Sequence, residues 1–391
     1  MLTAKSTRAG RFVRQPTGYD AFVPAPLPPE PSLELEGALA VLLADASVAL
    51  GRLDGILGIL PNPDLFVAMY VRQEAVLSSQ IEGTQASLAD VLRFEADHDE
   101  PPRVKDVEEV VNYVRAMNHG LTRLPELPLS LRLIREIHEK LMTGVRGEHL
   151  EPGEFRRTQN WVGPGGCQLK DASFVPPPPD QLLEVLGQLE SFLHDRALPP
   201  LIHAGLAHAQ FETIHPFLDG NGRVGRLLIT VLLRERRVLS KPLLYLSVYL
   251  KQHRAQYYDR LQAVRIDGDW EGWILFFLKG VLDVAETAHE TAKRILALRR
   301  QHQQKLHLEK KSSANLLRAL DLLFEQPIQT AAGLAEKLAV SYPTANGLLS
   351  RLQELQILEE STGFRRNRKF AYEPYLRLFD STTAEQEAPA S

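Results

Sequence analysis

Along most of the 391-residue chain, apolar residues recur at three- and four-residue spacing, the period of a helix with one buried face. The pattern predicts helices over Leu33–Leu60, Asp64–Leu92, Lys105–Leu124, Leu129–Gly144, Pro179–Leu193, Pro200–Ile214, Arg223–Val238, Lys251–Ile266 and, longest, Trp270–Leu308. Pro61-Asn62-Pro63 separates the first two. Ahead of them, Pro16, Pro24, Pro26, Pro28, Pro29 and Pro31 deny the backbone helical hydrogen bonds, so residues 1–33 read as an extended arm. Between Gln159 and Val175 the helical period is lost. There Trp161-Val162-Gly163-Pro164-Gly165-Gly166 is dense in turn residues, and Ser173-Phe174-Val175 runs into Pro176–Pro179, which predicts a short β-hairpin.

After a sparse, polar stretch at Arg299–Lys311 a new unit begins. Ser312–Glu325, Thr330–Leu338 and Tyr342–Leu355 carry three further helical patterns, with Pro327 ending the first and Ser341 placed to cap the third. Ser361–Tyr372 reads as two short strands around a basic turn, and the small, polar, acidic tail from Ser381 reads as disordered. The fold class expected is therefore mainly α, in four parts: an arm and helices at 1–100, a helical core at 101–298, a helix–turn–helix unit at 312–380 and a tail at 381–391.

Composition narrows the class. Hydrophobic residues make up 44% and charged residues 24% of the chain, ordinary usage for a globular protein. A single cysteine, Cys167, forms no intrachain disulfide and cannot build a four-thiolate zinc site. No apolar run approaches the roughly 18 residues a membrane helix needs, and the first residues carry no apolar export segment; a cytoplasmic protein without membrane contact is the expectation. The net charge of −4 divides unevenly, since residues 299–380 hold 13 basic and 9 acidic residues and residues 1–298 hold 32 and 38. A basic end on an acidic body points to an anionic partner for that end alone.

The densest chemistry lies at His215-Pro-Phe217-Leu-Asp219-Gly220-Asn221-Gly222-Arg223-Val224-Gly225-Arg226. Gly220-x-Gly222-x-x-Gly225 matches the letters of a dinucleotide fingerprint, but a helix precedes it instead of a strand, and no acid follows near 240–250. A different reading suits these residues. Two glycines bracket an asparagine where one helix ends, and a helix opening at Arg223 presents free N–H groups and a positive dipole end, an anion cradle. Arg223 and Arg226 lie three apart, so both can face one side with forks suited to phosphate. Asp219 beside a phosphate site suits magnesium, Asn221 can donate to a phosphoryl oxygen, and His215 can act as general base near neutrality.

With every specified position filled, His215–Arg226 resembles the Fic-family signature H-P-F-x-[DE]-G-N-G-R-x-x-R. The run-up agrees: Gly153-Glu-Phe-Arg156, Gln159-Asn160-Trp161-Val162-Gly163, Phe174-Val-Pro-Pro, and His208-Ala-Gln-Phe211-Glu-Thr-Ile214. The resemblance spans roughly residues 60–290 and implies a Fic helical core that transfers AMP from ATP to a Ser, Thr or Tyr hydroxyl of a protein, itself included, with loss of pyrophosphate. Carried over, His215 is the base and Asp219 the magnesium ligand between the α- and β-phosphates. Gly220, Asn221, Gly222, Arg223, Val224, Gly225 and Arg226 line the ATP site, with Arg226 on the γ-phosphate, and Tyr258 is favoured over Tyr257 for the base or ribose. Gln159–Val175 corresponds to a flap whose edge pairs with the target protein by strand addition. Ser78-Ser-Gln-Ile-Glu82-Gly83 matches the family's inhibitory pattern; a Glu82 carboxylate on Arg226 would occupy the guanidinium that must receive the γ-phosphate.

The C-terminal unit resembles a winged-helix domain, the wing carrying Arg365, Arg366, Arg368 and Lys369. Contact with DNA, with Ser341, Tyr342, Thr344 and Asn346 at base edges, and use as a dimer or docking scaffold stay open for residues 312–380. The alternative function is a winged-helix DNA-binding regulator whose Fic core has a sensory or de-AMPylating role.

Overall fold

A computed structural model describes residues 6–57, 63–96, 106–164, 166–309, 313–363 and 368–379. Arg365 and Arg366 of the expected basic turn, and the tail 381–391 expected to be disordered, lie outside them. The described residues are mainly helical with two small sheets. It divides into two compact units, one of residues 1–54, 74–84 and 108–286, the other of residues 55–73, 85–107 and 287–391.

The first unit opens with an antiparallel hairpin of β1 (Gly10–Arg14) and β2 (Asp20–Pro24), with Phe12 opposite Phe22. The proline-rich arm is thus extended, as expected, but paired with itself. Gly18 takes φ +93° in the connecting turn, where Gln15 N–H donates to Tyr19 O at 2.8 Å. The prolines lie in the turn and from Pro24 onward, where no ladder bond is needed.

Helices α1 (Gly37–Leu57), α2 (Pro63–Ile81), α3 (Leu88–Ala96), α4 (Val107–Arg123) and α5 (Leu131–Met142) follow. The single helix expected over Asp64–Leu92 is two. Gly83, at φ +101°, ends the first. Ser87 and Asp90 then form a reciprocal cap, Ser87 N–H to Asp90 Oδ2 at 3.0 Å and Asp90 N–H to Ser87 Oγ at 3.2 Å. Beyond the flap region come α6 (Pro179–Leu193), α7 (Pro200–Ile214), α8 (Asn221–Glu235), α9 (Ser247–Gln252), α10 (Arg254–Asp267) and α11 (Trp270–His307). The helix expected over Lys251–Ile266 is broken at His253, whose φ −109° and ψ 35° are not helical and separate α9 from α10.

Helix α7 is the axis of this unit. It packs against α6, α8, α10 and β2, and every residue from Leu201 to Ile214 is buried. Such a helix must satisfy its polar side chains internally. His203 pairs with Phe192 O at 2.8 Å and accepts from Arg236 at 3.0 Å; His208 bridges Gly225 O and the Tyr257 hydroxyl, each at 2.9 Å. Gln210 donates to Ala25 O and Thr213 to Ala209 O, both at 2.8 Å.

In the second unit, α12 (Ala314–Glu325), β3 (Ile328–Thr330), α13 (Ala331–Leu338), α14 (Tyr342–Glu354), β4 (Glu359–Glu360), β5 (Lys369–Ala371) and α15 (Glu373–Leu376) follow one another. The sheet is antiparallel in the order β3-β5-β4, with Ile328 opposite Ala371 and Glu360 opposite Phe370. Ser313, Thr330 and Ser341 cap α12, α13 and α14 with their hydroxyls. Helix α3 packs against β3, and Gln326 donates to Glu95 O at 3.1 Å.

Candidate active site

The signature begins where α7 stops. His215 is its C-cap in the left-handed region, φ 50° and ψ 61°, a conformation that costs a non-glycine residue energy unless neighbours hold it. Arg156 and Asn160 hold it: Arg156 Nε at 3.0 Å and Asn160 Nδ2 at 3.1 Å both donate to His215 O. Arg156 also donates to Pro177 O at 2.6 Å and to Ile214 O at 3.4 Å. This buried guanidinium thus binds backbone carbonyls, and burial lowers its pKa to about 10.

Asn221 closes the loop. Its Oδ1 accepts from Phe217 N and its Nδ2 donates to Phe217 O, both at 2.8 Å. Its amide therefore braces the turn. Phe217 stacks on His138 with ring centroids 3.7 Å apart and 5° between planes. His138 Nδ1 accepts from Gly153 N–H at 2.8 Å, so the proton sits on Nε2, which donates to Asp219 O at 3.0 Å. Burial lowers the pKa of His138 to about 4, which keeps that tautomer neutral. Gly220, φ +79°, caps α8; a Cβ there would lie 2.9 Å from Met142 Sδ. The first N–H groups of α8 then have no intrahelical acceptor and open toward the loop.

A cavity of about 360 Å³ gathers Glu82, Trp161, Glu212, His215, residues 219–223, Arg226, Tyr258 and Arg265. His215 is half-buried. Burial first, then the positive charges of Arg265 and Arg156, lower its pKa to about 4, and its Nδ1 has no partner among the described residues. It is a neutral imidazole across the physiological range.

Asp219 faces the cavity with its side chain 40% exposed, Oδ1 accepting from Gly220 N–H at 2.6 Å. Among the described residues no cluster of three or more His, Cys, Asp or Glu side chains could hold a metal alone. A cavity-facing carboxylate beside an anion cradle fits magnesium, which takes one or two carboxylates and completes its shell with phosphate oxygens and water.

The two arginines are used differently. Arg223 is committed to carboxylates, Nη1 to Glu109 Oε2 at 3.0 Å and Nη2 3.9 Å from Asp219 Oδ1, which leaves its backbone N–H for the cradle. Arg226 donates from Nε to Ser78 Oγ at 2.8 Å and from Nη2 to Ser78 O at 3.0 Å and Glu82 Oε1 at 2.7 Å. The spacing that put Ser78 and Glu82 on one face of a helix thus brings both to one guanidinium. Burial opposes charge on Arg226, but Glu82 outweighs it and raises the pKa; in return Arg226, against burial, lowers that of Glu82. A Cβ on Gly222 would collide with the Glu82 carboxylate. Behind this contact, Glu74 on α2 accepts from Ser247 N–H at 3.0 Å and Tyr113 OH at 3.3 Å.

Tyr257 is buried against His208, while Tyr258 is 39% exposed and lines the cavity beneath Arg254, 5.6 Å above its ring. The expected flap hairpin is reduced to one antiparallel bridge. Val162 N–H donates to Phe174 O at 2.8 Å and Phe174 N–H to Val162 O at 3.1 Å, while Pro164 and the 3₁₀ turn Leu169–Asp171 stop the ladder. Val175 O accepts from Phe22 N–H on β2 at 2.9 Å, so the hairpin of the arm braces the flap. Sequence spacing offers no sign of His138, Glu109 or Arg265, which reach the site through tertiary packing alone; Arg156 and Glu212 stand in the run-up segments without a readable role.

Comparison with known proteins agrees with this geometry. Residues 40–122 match the profile described as Fic/DOC family N-terminal, and residues 128–233 that of the Fic/DOC family. Protein adenylyltransferase Fic of Aedes aegypti is 36% identical over 161 residues, covering 40% of this chain and 28% of the relative. That of Drosophila grimshawi is 32% identical over 191 residues, covering 48% and 34%. The chain thus spans about a third of the length of these relatives. Among solved structures, a Fic family protein from Desulfovibrio desulfuricans G20 superposes with TM-score 0.55 at 21% identity, covering 87% of this chain and 97% of that one. A Fic domain containing signaling protein from Bacteroides thetaiotaomicron gives 0.50 at 17% identity, covering 64% and 97%. These two show likeness of fold. Residues 128–233, which include His215, the α8 N-terminus and Arg226, thus match the Fic/DOC family, and residues 40–122, which include Ser78 and Glu82, match its N-terminal segment.

Proposed function

We propose that the chain is a protein adenylyltransferase of the cytoplasm that moves AMP from magnesium-bound ATP to a Ser, Thr or Tyr hydroxyl, on itself or another protein, and that Glu82 restrains it. The observation that carries this reading is the meeting of His215, the α8 N-terminus and Arg226 in one cavity, with Glu82 bonded to Arg226. The names of the curated relatives support it.

In this reading the phosphates lie along the amides of Gly220–Arg223, toward the guanidinium of Arg226 once Glu82 is displaced, and Tyr258 meets the base or ribose. Neutral His215 takes the proton of the target hydroxyl as its oxygen bonds to the α-phosphorus; the bond to the bridging oxygen breaks and pyrophosphate leaves. Asp219 would hold magnesium, which when bound supplies charge neutralisation for the phosphates. Catalysis is then positioning plus preorganised charge. Asn221 contributes by bracing the loop, and the flap residues Trp161–Gly163 offer an edge to an extended target segment.

Labelling with α-labelled ATP in lysate tests this. Label is expected with wild type, more with Glu82→Gly, and none with His215→Ala. Label in the His215→Ala lane would overturn the base assignment, label from UTP alone the donor, and equal transfer by wild type and Glu82→Gly at saturating ATP and magnesium the restraint.

For residues 312–380 the succession of helices α12–α14 with a three-stranded antiparallel sheet supports a winged helix. Tyr342, 55% exposed at the start of α14, leaves that helix end accessible for DNA. Binding to duplex DNA that weakens steeply with salt supports this use, and flat or absent binding assigns the unit to dimer or docking contacts.

A further inference from the structure

The last turn of α7 carries a carboxyl that the mechanism above does not use. Glu212 is 7% exposed and lines the same cavity as Glu82 and Arg226. Its Oε1 has no hydrogen-bond partner among the described residues. That oxygen rests against Gly225, where a Cβ would collide with it, so the missing side chain of Gly225 is what makes room for it. Every other polar side chain buried in α7 is bonded.

The groups that face Glu212 are Arg226 from α8, Glu82 from the turn after α2, and Arg265, Tyr257 and Tyr258 from α10, with His215 beyond its own C-terminus. Neither cation reaches its carboxylate. Arg226 gives its bonds to Ser78 and Glu82. Arg265 donates to Thr213 Oγ1 and to the backbone carbonyl of Glu212, both at 3.2 Å.

Two carboxyls therefore flank one guanidinium, and one of them is in contact. While Glu82 occupies Arg226, an ionised Glu212 would be a second buried anion without a partner, an expensive state that a proton relieves. Burial foremost raises the pKa of Glu212 to about 7, and repulsion from Glu82 adds to it against the pull of Arg226 and Arg265. If Glu82 leaves, the repulsion disappears and the guanidinium loses its anion, so Glu212 ionises more readily. A nucleotide phosphate arriving at Arg226 restores the first situation.

We propose that Glu212 is a proton-carrying partner of Arg226: it keeps a proton while another anion, Glu82 or a nucleotide phosphate, occupies the guanidinium, and releases it to solvent when Arg226 is free. The inference rests on the cavity's being a nucleotide site. It makes nucleotide binding by the unrestrained enzyme take up a proton at a residue that neither attacks nor leaves, and Glu212 is accordingly a positioning residue.

Calorimetry in buffers of different ionisation heat counts protons taken up as ATP with magnesium binds Glu82→Gly and Glu82→Gly/Glu212→Gln. In the pH range below about 7, between the pKa of Glu212 with Arg226 free and its value with Arg226 occupied, the single variant is expected to take up as much as about one proton more per nucleotide than the double variant. Across that range its affinity should fall by up to about tenfold per pH unit as pH rises, relative to the double variant. Equal proton counts and parallel pH profiles would overturn the proposal. Failure of both variants to bind ATP at any pH would instead remove the nucleotide reading beneath it. If Glu212→Gln does not fold, infrared difference spectra of Glu82→Gly decide: a protonated-carboxyl C=O band should grow on adding ATP, and an unchanged band overturns the proposal.

Discussion

Replacing Glu82 by glutamine keeps the side chain's length and removes its charge; glycine removes both. Arg226 makes its shortest bond, 2.7 Å, to this carboxylate and two more to Ser78. At that separation an effective dielectric of about 20 gives a bare attraction of about 6 kcal/mol, but the Glu82 side chain is 36% exposed and solvent screens most of it. Hydrogen bonds to charged groups net about 1.5–3 kcal/mol, and the exposure argues for the lower end, about tenfold in affinity. ATP with magnesium should then bind both variants about tenfold more tightly than wild type, as read by titration calorimetry, with AMP transfer rising in parallel. Tighter binding by Glu82→Gly alone would show that bulk, not charge, obstructs the phosphates, and the electrostatic reasoning would be refuted. No gain in either variant would mean that Glu82 does not compete for Arg226.

Three other outcomes follow from individual side chains. Because His215 has its pKa lowered to about 4, it stays neutral as pH falls from 8 toward about 5, so the acid limb of a pH–rate profile should lie well below the usual imidazole range; a limb at about 6.5 would contradict the burial of the ring. Arg156→Lys replaces a fork serving four carbonyls by one ammonium, and should lower stability by about 2–4 kcal/mol in urea titrations while slowing transfer; an unchanged midpoint would show that the loop holds without it. Glu136 is held at about 2, chiefly by its bond from Arg123. Its contribution is present above about 4.5 and lost as pH falls toward 2, so Glu136→Gln should lose up to about 1 kcal/mol near neutrality and nothing in strong acid.

Much of the fold is legible in the sequence because the helices are long and one-sided. The reading failed where a local device outweighed periodicity. The Ser87–Asp90 cap and the positive φ of Gly83 cut one predicted helix in two, and Gly18 folds the arm into a hairpin that proline content alone would not suggest. The site divides the same way. His215, Asp219, Gly220, Arg226, Ser78 and Glu82 are within reach of a linear motif because each acts through its own helix end or helix face. Glu109, His138 and Arg265 are brought to the cavity from distant helices, with no local pattern to mark them. The role expected of Asn221 as phosphate donor illustrates the limit: a motif marks a position, and only the bonds to Phe217 show that its amide is a brace.

Helix α7 has no face toward water. A histidine mounted at the end of such a helix is an anvil: the surrounding packing must melt before it can shift, and the target hydroxyl has to be carried to it. In the proposed reading control falls instead to Glu82, a partly exposed carboxylate in the turn after α2 that lines the same cavity. The chain would be switched by admitting or refusing a ligand, with its chemical machinery permanently assembled.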